Sequence, residues 1–178
     1  MALMPFREPA SQPMPEGPQI LDPDRFSPEK RRQLSGAGLR TFLKIADAWQ
    51  LSESDRLRVL GMPSRSTFHS WAVKVRGGND ITLSVDGLTR ISAVLGIYKA
   101  LRVLFPRDAD ASRWLRSANS GPVFGGQTPL ALIVSGTQDG LMQVRRYLDA
   151  WRGGSFAAPV PGFDDVVVPL SDSDLVFA

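Results

Sequence analysis

"GGQTPLALIVSGTQDG", residues 125–140, decides the fold class of this chain. Read as a phosphate-cradling loop, its glycines would place it between a strand and a helix in an α/β fold. Read as punctuation, the same residues start two helices. A P-loop needs glycines spaced so that successive amides face the anion, then Lys followed by Ser or Thr. The stretch has no lysine. It does have Thr128 as a helix cap with Pro129 at the first helical position, an apolar run, and Gly136 as a stop. Thr137 is placed to cap a second helix, "QDGLMQVRRYLDAWRGG". There Leu141, Val144, Leu148 and Trp151 line one face and Arg145, Arg146 and Arg152 the other. The glycines read as punctuation.

Helical signals continue upstream. "DADASRWLRSANS" predicts a short helix capped by Asp108 or Asp110, with Trp114 and Leu115 inward. "TLSVDGLTRISAVLGIYKALRVLFP" predicts a long helix that Pro106 ends. Its Leu88, Ile91, Leu95, Tyr98, Leu101, Val103 and Phe105 form a broad apolar surface, suited to a bundle centre or an oligomer contact. Before it, "SPEKRRQLS" opens with Ser27 and Pro28 in cap and first-turn positions, and "GLRTFLKIADAWQL" carries an apolar stripe of Leu39, Phe42, Leu43, Ala46 and Trp49. "SESDRLRVLG" follows, with Ser52 and Asp55 close to a capping box and Gly61 as its stop. "PSRSTFHSWAVKV" starts at the cap Ser64 and buries Phe68, Trp71, Ala72 and Val75. The fold class is all-α.

A short helix, a turn of Gly61-Met62-Pro63 and a second helix have the spacing of a helix-turn-helix, whose second helix lies in the DNA major groove. The outward positions carry suitable chemistry. Arg65 and His69 donate to guanine acceptors, Ser66, Thr67 and Ser70 to bases or phosphates, and Lys74 and Arg76 to phosphates. A helical hairpin with a polar outer face fits the same spacing.

Bulk composition narrows the alternatives. At 178 residues the chain can bury a real core, and with no cysteine it has no disulfide framework, thiolate metal site or cysteine nucleophile. The single histidine, His69, has no carboxylate patterned beside it in sequence, and the adjacent Asp164 and Asp165 lack the separation that acid–base work requires. No catalytic residue, cofactor or metal is therefore expected. Neither a signal-peptide core nor a membrane-length apolar run is present, so a cytoplasmic protein is expected. The net charge of +3 conceals an uneven distribution: residues 153–178 hold no Lys or Arg but four aspartates, Asp164, Asp165, Asp172 and Asp174. A basic body with an acidic end suits an anionic partner for one part and a different partner for the other. Residues 1–24, with Pro5, Pro9, Pro13, Pro15, Pro18 and Pro23, predict a flexible lead.

"RISAVLGIYKALRVLFP", "ASRWLRSANSGPVFGGQTPLALIVSG" and "GLMQVRRYLDAWRGG" together resemble the C-terminal toxin-binding domain of the MbcA/ParS/Xre antitoxin family, over residues from about 85 to 154. "RLRVLGMPSRSTFHSWAV" is similar to the Xre-like helix-turn-helix that precedes this domain in the family. The resemblance implies an antitoxin that neutralises a toxin carrying a RES domain, which degrades NAD or transfers ADP-ribose from it, and that represses its own operon. The organisation expected is a lead at 1–24, a helix-turn-helix domain at 25–80, a helical toxin-binding domain at 81–154 and an acidic tail at 155–178. Toxin contacts are expected from Gly125, Gly126, Pro129 and Arg145, with a mainly structural role for the glycines and Pro129. In the tail, Phe163, Asp164, Asp165, Leu170 and Phe177 are candidates to dock on the toxin, the aspartates imitating an anionic pyrophosphate. Cognate RES-domain toxin, operator DNA and a second copy of the chain are the expected partners, the last because a helix-turn-helix reads paired half-sites. A DNA-binding regulator whose C-terminal domain serves oligomerisation is the alternative.

Overall fold

The computed structural model describes residues 26–153. Seven helices and no strand are found among them: α1 (Pro28–Ala48), α2 (Glu53–Val59), α3 (Arg65–Arg76), α4 (Val85–Leu104), α5 (Asp108–Arg116), α6 (Pro129–Ile133) and α7 (Gln138–Arg152). The all-α expectation holds. No helix among the described residues is long and apolar enough to cross a membrane.

The caps follow the sequence closely. Ser27, Ser52, Ser64, Thr128 and Thr137 each accept a backbone N–H of the first turn through their side-chain oxygen. Ser84 does the same for α4. The expected acid cap on α5 does not form. Arg107 occupies that N-cap without a side-chain hydrogen bond, and Asp108 and Asp110 lie inside the first turn. There they face the positive end of the helix dipole and are drawn to Arg102, Arg107 and Arg113 instead of the backbone.

"SPEKRRQLS" and "GLRTFLKIADAWQL" form one continuous helix across Gly36 and Gly38. Each internal glycine costs about 1 kcal/mol of helix propensity relative to alanine. Ser35, Leu39, Phe42 and Ala46, all fully buried, keep one stripe in phase through the pair, so packing decides.

α4 is the central helix, packed on α1 and on α7, while α3 rests on α1 and α6 on α7. Ile91, Val94, Ile97 and Leu101 of α4 meet Leu39 and Phe42 of α1 and Leu141, Val144 and Leu148 of α7 in one continuous core. Val103, expected on the apolar surface of α4, is 61% exposed instead. Two residues on from Leu101, it points about 200° round the helix, away from the side the core covers, whereas Leu104 and Phe105 beyond it still pack on the core.

Candidate DNA-reading helix and candidate toxin-binding unit

The first three helices end alike, and the ending of α2 sets where α3 begins. At the end of α2, Gly61 N–H donates to the Arg58 carbonyl at 3.1 Å and Met62 N–H to the Leu57 carbonyl at 2.8 Å. This is a Schellman closure, with Gly61 at φ +84°. It folds the chain back within a few residues, so that Ser64 caps α3 through the Thr67 amide at 3.1 Å. Phe68, Ala72 and Val75 are buried, and Trp71 is half-buried against the core. The opposite face presents Arg65, Ser66, His69, Ser70, Val73, Lys74 and Arg76 to solvent. Six of the seven expected DNA contacts are therefore exposed on one helix. Thr67 is half-buried, its Oγ1 2.8 Å from Ser64 Oγ in the cap.

Sequence spacing gave no sign of Glu53. This first residue of α2 places one carboxylate oxygen 3.4 Å from Arg65 Nε and the other 3.3 Å from His69 Nε2. The three side chains are largely exposed, at 42%, 76% and 61%. Twelve to sixteen residues separate the acid from its partners, and no helical period connects them across a turn. Val73, 67% exposed, also stands on this face and offers an apolar surface of the kind that meets a thymine methyl.

Residues 125–140 run from the loop after α5 through α6 into the first turn of α7. Gly125 and Gly126 occupy left-handed backbone at φ +55° and +85° in the exposed loop between α5 and α6. Asn119 closes that loop: its N–H donates to the Gln127 carbonyl at 3.1 Å and its carbonyl accepts from Gly126 N–H at 3.0 Å. Pro129 is buried at the start of α6. Arg145 lies across α4, donating to the Ser92 carbonyl at 3.0 Å and pairing with Asp149 at 3.5 Å. The loop glycines, the buried proline and Arg145 thus stand on separate elements. Phe163, Asp164, Asp165, Leu170 and Phe177 lie outside the described residues.

Trp114 holds the end of this unit together. Its ring touches those of Phe105, Phe124, Tyr147 and Trp151 at centroid distances of 5.9–6.2 Å. Phe124 and Tyr147 meet edge to face at 4.8 Å. Phe124 is buried, whereas Trp151, expected inward, is 36% exposed at the rim of the cluster.

A helix-turn-helix with an outward cationic second helix, continued by a second helical unit around a shared central helix, is the architecture. The model of the antitoxin Xre-like helix-turn-helix domain matches residues 28–96, and that of the antitoxin Xre/MbcA/ParS C-terminal toxin-binding domain matches residues 100–154. Both matches enter α4. The chain is 43% identical over 118 residues to the uncharacterized protein y4oB of Sinorhizobium fredii (strain NBRC 101917 / NGR234), covering 66% of this chain and 86% of that protein. The chain belongs to the Xre/MbcA/ParS antitoxin family.

Proposed function

We propose that this chain neutralises a RES-domain toxin acting on NAD by binding it directly, and represses its own operon through α3. One observation carries the proposal: a toxin-binding unit and a helix-turn-helix of the same antitoxin family follow each other in one chain, over residues 28–96 and 100–154. The division of labour is between residues 25–80, which meet operator DNA, and residues 81–154 with the acidic tail 155–178, which meet the toxin. Arg65, Ser66, Thr67, His69, Ser70, Lys74 and Arg76 serve the DNA face. Gly125, Gly126 and Pro129 shape the scaffold that meets the toxin, and Arg145 braces it. Phe163, Asp164, Asp165, Leu170 and Phe177 carry the tail into the toxin's NAD cleft, where aspartates stand in for pyrophosphate. A second copy of the chain supplies the other half-site reader. The protein acts by occupancy, without catalysis of its own, in the cytoplasm where toxin and operator are found.

Co-expression with the neighbouring open reading frame tests this. The expected result is a stable copurifying complex, restored growth and restored cellular NAD, with rescue lost when residues 155–178 are removed. Rescue that survives truncation moves the contact to residues 81–154. Absence of both complex and toxicity refutes toxin binding and leaves a DNA-binding regulator.

A further inference from the structure

From the contacts of Glu53 we infer that this residue is a specificity-determining positioning residue for DNA reading, holding Arg65 in the pose that reads a base while suppressing its attraction to phosphates. Glu53 can act in this way only if α3 reads DNA as proposed above. A carboxylate on a DNA-facing surface repels the backbone, so its presence there calls for a compensating role. It stands at the first turn of α2, where the helix dipole favours an acid, and both its oxygens point to α3. At this exposure the two contacts add little to stability. Their geometry is more informative. Glu53 takes Arg65 by Nε, which leaves the two terminal guanidinium nitrogens for the guanine O6 and N7 acceptors. Untethered, a side chain that is 76% exposed would pair with any phosphate within reach. His69 places Nε2 3.3 Å from the second carboxylate oxygen, so each oxygen of the acid has a neighbour on α3. In this pose its Nε2 faces Glu53, while the terminal nitrogens of Arg65 stay available to a base. The device trades non-specific affinity for discrimination.

The full-length chain is titrated with the duplex upstream of its own gene, shortened by footprinting, and with a shuffled duplex of equal composition, at several salt concentrations. Glu53→Ala is expected to lower the ratio of specific to shuffled affinity by roughly tenfold or more while raising affinity for the shuffled duplex. Glu53→Gln, which keeps one acceptor and the side chain's shape, falls between. Arg65→Ala loses discrimination at the same base pair as Glu53→Ala, and the double variant loses no more than either alone. An unchanged ratio in both Glu53 variants overturns the inference, as does loss of discrimination at a base pair that Arg65→Ala leaves untouched. Should the wild-type chain fail to prefer its upstream duplex at all, the DNA-reading role itself falls, and the tether with it.

Discussion

The hydroxyl of Ser35 accepts a hydrogen bond from the Leu83 amide at 2.9 Å while donating its own proton to the Arg31 carbonyl at 2.6 Å. Ser35 is the one fully buried polar residue among those described, and the Leu83 carbonyl is held in turn by the Arg31 guanidinium at 3.0 Å. Both backbone groups of Leu83 are thereby fastened to α1. This fixes the segment between the helix-turn-helix and the central α4. Ser35→Ala leaves the Leu83 N–H buried without a partner, so urea titration should show a loss of about 1–3 kcal/mol.

Two helical glycines face crowded space, and they should respond differently. A Cβ at Gly140 would come within 2.5 Å of the Leu132 carbonyl, which is backbone of the preceding helix and has no rotamer to yield. A Cβ at Gly96 would come within 2.7 Å of Arg145 Cζ, the far end of a flexible side chain. Gly140→Ala is expected to cost about 1–3 kcal/mol as an overpacking change. Gly96→Ala should stay within about 1 kcal/mol of wild type, because helix propensity offsets the displaced arginine. Parallel chemical denaturation of the two variants decides it. Equal losses would show that Arg145 is as immovable as backbone.

Gln50 sits at φ +53°, left-handed backbone that a side chain adopts at a cost of about 1 kcal/mol or more. It holds the position that a glycine fills after α2: Gln50 N–H donates to the Asp47 carbonyl at 2.9 Å and Leu51 N–H to that of Ala46 at 2.9 Å. Gln50→Gly should raise the unfolding free energy by about 0.5–1 kcal/mol, less whatever entropy the freer unfolded chain regains. No increase in the denaturation midpoint would mean that the Gln side chain contributes what its backbone costs.

Much of this architecture was legible because helix ends are local. Ser27 with Pro28, Thr128 with Pro129, and Ser64 before an apolar stripe each state a start within a few residues, and the structure places caps there. What could not be read depends on distant partners. α1 runs through Gly36 and Gly38 because α4 and the rest of the core cover its stripe. Asp108 and Asp110 resemble caps in sequence, yet three nearby arginines claim them. Trp151 follows the period of Leu141, Val144 and Leu148, but the helix ends one residue later and leaves one side uncovered. Glu53 had no local signal at all, since its partners lie across the turn.

Asp110 gives the fold a measurable response to acid. Arg107 Nε donates to one carboxylate oxygen at 2.6 Å and holds the carboxyl below its ordinary value of 3.8. Partial burial opposes this, while the charges of Arg107 and Arg113 assist it. A carboxylate depressed on folding contributes stability above its unfolded pKa and loses it as pH falls through the lower folded value. The melting temperatures of wild type and Asp110→Asn should therefore differ most at neutral pH, and the gap should narrow as pH falls below about 3.8. A gap that persists unchanged in acid would assign the effect of the substitution to the neutral hydrogen bonds alone.

Lys74 and Arg65 are both exposed on α3, about half a turn apart around its axis, and should fail in distinguishable ways. Lys74 lies two and a half turns along the helix from Arg65, with an ammonium that meets phosphate as a point charge. Lys74→Ala should weaken binding about equally for the upstream and shuffled duplexes and reduce the salt dependence by roughly one phosphate contact. Arg65→Ala should mainly relax discrimination at one base pair, since a bidentate guanine contact carries sequence information that a phosphate contact lacks. Neither substitution touches α5, α6 or α7, so both variants should still copurify with the toxin and restore growth on co-expression. If Arg65→Ala or Lys74→Ala abolished rescue while the protein remained folded, the toxin would have to engage α3 itself. Operator and toxin would then compete for one surface, and the assignment of DNA and toxin to separate parts of the chain would be withdrawn.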